Sequence, residues 1–179
     1  GCLESGRDFN AGGAKYNYHE TMLFGIPNVA DSLYALEKLI YQAKKYTLPQ
    51  VINILKLDFP NESDRQIFIN HAKKYGNDSD EVDQYAIRVF DHACEYLKTQ
   101  QGIFGGGFFA QPFTFLWLVD FGKMTAATPD GRHKGDNLAY SLSPMQGRDI
   151  NGLTAMINSL SKFPYTKAAG GASAIVEVD

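Results

Sequence analysis

The sequence predicts an α/β fold, because two different hydrophobic patterns divide the chain near Gly102. Before that point, apolar residues recur at the spacing of amphipathic helices. Beyond it, the run from Phe113 to Phe121 is almost continuously aromatic or aliphatic, which is typical of a strand buried on both faces in a helix-covered parallel sheet. The 179 residues contain no repeat or linker, so we expect one domain or one piece of a larger domain.

Four helices are predicted before Gly102, over residues 27–45, 48–57, 63–75 and 79–100. In the first helix, Asn28 is the predicted cap and Asp31 lies in the first turn, where the helix dipole favours an anion. Its predicted buried stripe is Val29, Leu33, Leu36 and Ile40. Thr47 is the predicted cap of the second helix. In the fourth, Cys94 lies in the apolar stripe and is expected in the core, whereas His92 lies off it and is expected in solvent.

The second half of the chain is predicted to contain strands, turns and one helix. Residues 103–109 include Gly105 to Gly107, and so many glycines in a strand indicate a bulge or the close approach of another segment. Residues 125–132 form a predicted turn in which Arg132 either lies on the surface or holds a carboxylate. Residues 133–149 are expected to be irregular, followed by a helix of about a dozen residues and a strand over 172–178.

Composition excludes several classes of function. A net charge of -3 and a pI near 5.8 argue against a nucleic-acid or anionic-membrane surface. Two cysteines are too few for a disulfide framework, which predicts a protein of the reducing cytoplasm. No apolar run approaches the length of a membrane span, and the histidines do not have metal-ligand spacing. His19 and His133 are expected in loops.

The first four residues carry a possible reagent in a segment, residues 1–27, that is expected to be loop-like. Gly1-Cys2-Leu3-Glu4 places a thiol two positions from a carboxylate, so a hydrogen-atom or electron-pair reagent would stand beside a proton acceptor. On spacing alone, a lone cysteine is more often a small buried apolar side chain than a reagent. Asn10-Ala-Gly-Gly13 is interpreted as a tight turn or a ligand cradle.

Several segments together resemble the glycyl radical enzyme family, which contains pyruvate formate-lyase and the glycerol, choline and hydroxyproline lyases. Gly1-Cys2-Leu3-Glu4 resembles the catalytic cysteine loop of its eliminating branch, and residues 10–17 resemble the segment that follows it. The later segments occur in the order of the family: residues 28–33, 38–40, 74–83 and 127–132, then Ser143-Pro144, Gly147, Asp149 and 152–155.

The resemblance implies part of a ten-stranded α/β barrel of the glycyl radical enzyme type, incomplete in this chain. The family barrel consists of two parallel half-barrels with the cysteine loop inside. Residues 1–179 would be a fragment of the catalytic barrel domain, with the N-terminal part and the C-terminal glycyl radical domain absent. The Arg-Val-x-Gly-Tyr pattern of the family's radical loop does not occur in the sequence.

The resemblance also implies roles for two residues. In the family, a stable radical on a C-terminal glycine oxidises the cysteine to a thiyl radical, which abstracts hydrogen from the substrate. Cys2 would be that cysteine, and Glu4 would be the general base that removes a hydroxyl proton as water or an amine leaves. Pyruvate formate-lyase has adjacent cysteines at this point, so Gly1 before Cys2 favours a dehydratase or C–N lyase.

Partners and cofactors are likewise implied by the family. An activating enzyme that uses S-adenosylmethionine and an iron–sulfur cluster would install the glycyl radical, on the remainder of the polypeptide or on a glycyl radical protein in trans. A small-molecule substrate and a homo-oligomer are expected, and no metal site. This chain alone is expected to be inactive. Two alternatives stay open: formate C-acetyltransferase activity, and a non-catalytic scaffold or subunit that lacks the radical domain.

Overall fold

The structure, a computed structural model, describes residues 1–176. Its helices and strands are α1 (Cys2–Ser5), β1 (His19–Met22), α2 (Ile26–Leu36), α3 (Leu48–Lys56), α4 (Glu62–Asn70), α5 (Asp80–Lys98), β2 (Phe108–Gln111), α6 (Trp117–Met124) and α7 (Leu153–Ser161). A π-helix, Glu37–Gln42, continues α2, and short 3-10 helices span Phe9–Ala11 and Tyr165–Lys167. Residues 1–27, expected to be loop-like, therefore contain α1, one 3-10 helix and β1.

The two strands form a parallel pair, with His19 opposite Phe108 and Met22 opposite Gln111. Parallel strands need a long crossover connection, and here the helices α2 to α5 supply it. The predicted α/β class is therefore confirmed, with one two-stranded sheet in the described part of the chain.

The core lies where α2 packs against α5. Small residues of α2, Ala30 and Ala35, and the Phe90 ring of α5 are completely buried. The Phe163 ring lies against Phe90 with 4.6 Å between the ring centroids. Cys94 is buried in the same cluster, as its place in the apolar stripe of α5 predicts.

The predicted buried stripe of the first helix is half right: Leu36 and Ile40 are partly buried against the core, but its first two residues are not. Val29 and Leu33 are 42% and 39% exposed, while Ala30 and Tyr34 are buried. Periodicity favours the larger apolar residues, but the small Ala30 lets α5 approach closely. Asn28 is not the cap, because α2 begins two residues earlier after Gly25.

Local signals predict α3 correctly and α4 only in part. The Thr47 hydroxyl accepts a hydrogen bond from the Gln50 amide, and the Gln50 side chain accepts one from the Thr47 amide, which together form a capping box. Helix α4 ends at Asn70, five residues before the predicted end. It ends early because Tyr75 turns into the core, where its amide donates to Asp31.

The predicted strand over residues 113–121 is wrong. Phe115 has a positive φ of 45°, and α6 begins at Trp117. The segment is also not buried, since Phe115, Leu116 and Trp117 are 56%, 70% and 50% exposed. A close contact holds α6 in place: a Cβ on Gly122 would lie 2.4 Å from the Asp136 carbonyl oxygen.

The remaining strand predictions are also shifted or wrong. The structure places β2 at Phe108–Gln111, after the predicted 103–109, because residues 101–107 form a turn closed by a bridge between Gln101 and Gly107. Residues 172–176 are not a strand, and residues 177–178 of that prediction lie outside the described residues. The turn over 125–132, the irregular 133–149 segment and the helix α7 are confirmed.

The core predicts a strong dependence of stability on Phe90. We expect Phe90→Ala to lower the free energy of unfolding by about 3–5 kcal/mol, because the packed helices cannot close the cavity. The matched control is Tyr96→Ala on the same helix, where a 61% exposed ring is removed at a cost within about 0.5 kcal/mol. Urea unfolding followed by circular dichroism measures both. Equal losses for the two variants would contradict this description of the core.

Candidate active site

Cys2 and Glu4 both lie on α1, a single helical turn. A backbone hydrogen bond runs from the Ser5 amide to the Gly1 carbonyl at 3.0 Å, and Gly6 ends the helix with a φ of 63°. Cys2 is a free, partly exposed thiol. The Glu4 side chain is 87% exposed.

The structure places these two side chains in one turn but not side by side. Residues two apart on a helix point to different sides, so Cys2 and Glu4 do not face each other across α1. None of the residues of α1 is buried. Their roles as hydrogen-atom carrier and base therefore stay predictions.

The segment between α1 and β1 is folded tightly on itself. The Asp8 carbonyl accepts hydrogen bonds from the amides of Ala11 and Gly13 at 2.9 and 3.0 Å. The Asp8 carboxylate accepts a third bond, from the Asn10 amide at 2.8 Å. Of the two interpretations of residues 10–13, the structure thus shows the tight turn.

The glycine-rich stretch approaches this segment closely, as its sequence predicts. A Cβ on Gly106 would lie 1.2 Å from the Asn17 carbonyl oxygen, and one on Gly102 would lie 2.2 Å from His19 Nε2. The His19 ring, predicted in a loop, instead stacks on Phe108 at 4.8 Å across the sheet. Its Nε2 atom is buried and has no hydrogen-bond partner among residues 1–176.

A buried polar network ties α2 to segments more than 100 residues away. The Asn28 amide donates to the Asp130 carboxylate at 2.7 Å, and its oxygen accepts from the Ala139 amide at 2.8 Å. The Asp130 amide donates to the Ser32 hydroxyl at 3.2 Å. Asn28, Asp130 and Ala139 are at most 3% exposed. Asn28, Ser32 and Asp130 lie in segments that carry the family resemblance, and here they hold the fold together.

Asp31 is the most unusual ionisable group of this network. Burial raises its pKa to about 7, against the opposing effect of the nearby Lys74 ammonium. One carboxylate oxygen accepts from the Tyr75 amide at 2.7 Å, and the other is buried without a partner in the described chain. Burial also lowers the pKa of Lys74, whose ammonium donates to the Phe68 carbonyl at 2.8 Å.

The segment over residues 74–83 serves as an anchor for the last third of the chain. The Asn77 side chain donates to the Arg148 carbonyl at 2.7 Å and accepts from the Asn151 amide at 3.0 Å. On α7, the Ser159 hydroxyl donates to the Asp83 carboxylate at 2.9 Å. Asp83 is 1% exposed, and the same carboxylate oxygen pairs with the Lys162 ammonium at 2.9 Å, so an ion pair and the Ser159 bond together compensate this buried charge.

Arg132 pins its loop, but not through a carboxylate. The guanidinium is buried and donates to the backbone carbonyls of Thr125, Ala126 and Asp136. A planar fork with several donors suits this task, because it reaches three carbonyls of the irregular loop at once; the Thr125 carbonyl also accepts from the Gly135 amide at 3.2 Å.

Sequence reasoning missed the buried polar network. Asn28 and Asp31 were interpreted as signals of a helix start, although both lie inside α2 and on its buried side. A signal was present: an amide and a carboxylate three residues apart share one helix face, and an otherwise apolar helix has little reason to carry them unless they have buried partners.

Among residues 1–176, no three His, Cys, Asp or Glu side chains are grouped so that they could hold a metal ion. No helix in this part of the chain is long and apolar enough to cross a membrane.

Two family sequence models match the chain. The model described as "Pyruvate formate lyase-like" matches residues 1–122, and the model described as "Glycine radical" matches residues 138–178. We expect the glycyl radical domain to be absent from this chain, and the Arg-Val-x-Gly-Tyr pattern is indeed not in the sequence. Residues 138–178 nevertheless match the model of that domain. The division of the chain into domains stays a prediction.

Named relatives and solved structures agree with these matches. The chain is 36% identical to the Escherichia coli (strain K12) "Probable dehydratase YbiW", and the match covers 95% of this chain and 22% of the relative. It is 29% identical to the Clostridioides difficile "Trans-4-hydroxy-L-proline dehydratase", covering 94% of this chain and 22% of the relative. The B12-independent glycerol dehydratase from Clostridium butyricum superposes with a TM-score of 0.88 at 35% identity, over 96% of this chain and 22% of that one. The chain thus spans about a fifth of the length of these relatives.

The position of Asp31 predicts a pH dependence of stability. Because its pKa of about 7 lies above its value of 3.8 in the unfolded chain, folding favours the protonated form. The stability it contributes is fully present below about pH 4 and is lost as the pH rises toward about 7. We therefore expect Asp31→Asn, which keeps the acceptor for the Tyr75 amide, to reduce the loss of unfolding free energy between about pH 5 and pH 8.

Urea unfolding at the two pH values measures this difference. The control is Asp120→Asn, which removes a carboxylate that is 63% exposed. If the Asp31 variant and wild type lose the same free energy over this range, Asp31 is already ionised in the folded protein.

Proposed function

Because the chain belongs to the pyruvate formate lyase-like family, we propose that the full-length protein is a glycyl radical lyase of the dehydratase or C–N lyase type. The observation that carries the proposal is the cysteine loop: Gly1-Cys2-Leu3-Glu4 lies inside the matched range, and Cys2 is a free, partly exposed thiol on a single exposed turn. The named relatives and the solved structure are dehydratases, which supports the same class.

The residues of this chain fit a radical cofactor that lies elsewhere. A glycyl radical, when present, supplies the oxidant that removes the hydrogen atom from a thiol. Cys2 is suited to give up that atom, since it is not in a disulfide and its sulfur reaches the surface of the described chain. Sulfur is soft and polarizable, so it carries an unpaired electron well.

The proposed reaction moves one hydrogen atom and one proton. The Cys2 sulfur takes a hydrogen atom from a substrate carbon that bears a hydroxyl group, and Glu4 removes the proton of that hydroxyl. The carbonyl then forms as the C–O or C–N bond on the neighbouring carbon breaks. The proton held by Glu4 departs with the leaving group as water or an amine, and Cys2 returns the hydrogen atom to the product carbon.

This reaction requires Cys2 and Glu4 to reach the same substrate. The low stability of α1 permits the change in conformation that this needs. A helix of four residues is marginal in isolation. Since no residue of α1 is buried, the relative direction of the two side chains depends on whatever packs against this turn. A small rearrangement of one turn brings both side chains to the same side.

Partners are part of the proposal. An activating enzyme with S-adenosylmethionine and an iron–sulfur cluster installs the radical on a glycine of the remaining polypeptide or of a glycyl radical protein in trans. The substrate is a small molecule. Formate acetyltransferase activity is the alternative that the test below includes. The homo-oligomer and the cytoplasmic location stay predictions.

The test uses the full-length protein, activated without oxygen by its activating enzyme. We expect the electron paramagnetic resonance doublet of a glycyl radical, and turnover of glycerol or choline, each of which carries a hydroxyl group on the carbon next to the bond that breaks, but no turnover of pyruvate with coenzyme A. Cys2→Ala abolishes turnover but keeps the doublet, and Glu4→Gln lowers kcat by about 10²- to 10⁴-fold. Cys94→Ala is the matched control, because it removes the buried thiol of the chain.

Three outcomes would change the assignment. Turnover of pyruvate with coenzyme A alone moves the protein to the acyltransferase branch. A doublet with full turnover in Cys2→Ala removes Cys2 from the mechanism. The absence of any doublet, under conditions that activate a relative, favours the non-catalytic scaffold.

A further inference from the structure

The turn over residues 101–107, called here the glycine turn, packs against the segment that joins Cys2 to the sheet. The turn is closed by hydrogen bonds from the Gly102 amide to the Gly106 carbonyl and from the Gly105 amide to the Gly102 carbonyl, both 3.0 Å. The His19 amide donates to the Gly107 carbonyl at 3.0 Å, so the turn and β1 meet directly.

Gly106 makes the tightest contact of this turn. A Cβ at this position would lie 1.2 Å from the Asn17 carbonyl oxygen and 2.3 Å from its carbonyl carbon. These are backbone atoms, so no side-chain rotation relieves the overlap. To restore an ordinary van der Waals contact with the added Cβ, the Asn17 backbone would have to move by ~2 Å.

A second contact joins the same two segments five residues earlier. The Phe104 side chain lies against Gly12, where a Cβ would be 2.8 Å from the ring. The glycine turn therefore contacts both Gly12 and Asn17. A displacement of the Asn17 backbone also displaces Gly12, because the same turn packs against both residues.

The path from Gly12 to Cys2 is short and stiff. Three hydrogen bonds to Asp8 close the turn over residues 8–13. A Cβ on Gly13 would lie 2.2 Å from the Arg7 carbonyl oxygen, so this turn is packed against the residue that follows α1 and Gly6. Movement of residues 12–17 is thus passed on to α1.

We propose that Gly106 is a positioning residue, whose missing side chain lets the glycine turn fix the segment that places Cys2. The inference rests on the proposed function, because positioning of the Cys2 sulfur matters only if Cys2 takes hydrogen from substrate. Hydrogen abstraction depends steeply on distance, and a misplacement of about 1 Å costs on the order of 100-fold in rate.

Gly105 provides a matched control for Gly106. Both residues have positive φ, 84° for Gly105 and 73° for Gly106, so alanine strains the backbone similarly at either position. Only Gly106 has a neighbour in the way, since a Cβ on Gly105 meets nothing within 4 Å. The comparison of Gly106→Ala with Gly105→Ala isolates the contact with Asn17.

The experiment uses the activated full-length protein and three readouts. We expect Gly106→Ala to form the glycyl radical in normal amount, to lose about 100-fold in kcat with a smaller change in KM, and to exchange the amides of residues 8–19 with deuterium at least about 10-fold faster. Gly105→Ala changes each of these by less than about three-fold.

Each result decides the proposal. Equal losses in Gly105→Ala and Gly106→Ala assign the effect to backbone strain and overturn it, as does unchanged amide exchange in Gly106→Ala. If the wild-type protein forms no radical and shows no turnover, the proposed function is wrong. Amide exchange in the two glycine variants still measures whether the glycine turn fixes residues 8–19.

A second pair covers the case in which Gly106→Ala does not fold. Phe104→Ala removes the contact with Gly12 without adding any atom, and Ile103→Ala, at a side chain 89% exposed, is its control. We expect faster amide exchange over residues 8–13 and about 10-fold lower kcat for Phe104→Ala only. Wild-type exchange and kcat in Phe104→Ala would overturn the proposal.

Discussion

The hydrogen bond between the Asn28 amide and the Asp130 carboxylate, 2.7 Å long and buried, is the contact on which the rest of the structure depends. It joins α2 to the turn over 125–132, 102 residues later, and Asn28 also satisfies the Ala139 amide. Removing one side of such a bond leaves buried polar groups without partners, which costs far more than an average hydrogen bond contributes. The irregular segment over 133–149 has few regular backbone bonds, so this network determines where it lies.

The later segments of the chain are held by buried polar contacts, whereas α1, which carries Cys2 and Glu4, is exposed. Two residues of the family segment 74–83 are bonded to the last third of the chain: Asn77 donates to the Arg148 carbonyl, and the buried Asp83 accepts from the Ser159 hydroxyl. Cys2 and Glu4, in contrast, lie on an exposed turn whose neighbours include exposed apolar side chains such as Leu3 and Phe9. Radical chemistry requires that water be excluded, so the proposed function requires this turn to be covered in the full-length protein.

Elements with local signals were predictable from sequence, and elements set by distant contacts were not. The capping box at Thr47 and the apolar stripe of α5 determine their helices locally. The run from Phe113 to Phe121 has the composition of a buried strand, but the contact of Gly122 with the 136–137 backbone holds a helix there. The family resemblance identifies Cys2 and Glu4 as site residues. The roles of Asn28 and Asp31 depend on buried hydrogen-bond partners that sequence spacing does not reveal.

The central claim is that a hydrogen atom of the substrate passes through the Cys2 sulfur and returns to the product. The most direct test follows deuterium through one turnover by the activated full-length protein, using its substrate labelled at the carbon that carries the hydroxyl group. The account predicts slower turnover of the labelled compound, and loss of that effect together with all turnover in Cys2→Ala. Equal rates for labelled and unlabelled substrate, with all deuterium released to water, would contradict it, because they indicate removal of a proton rather than a hydrogen atom.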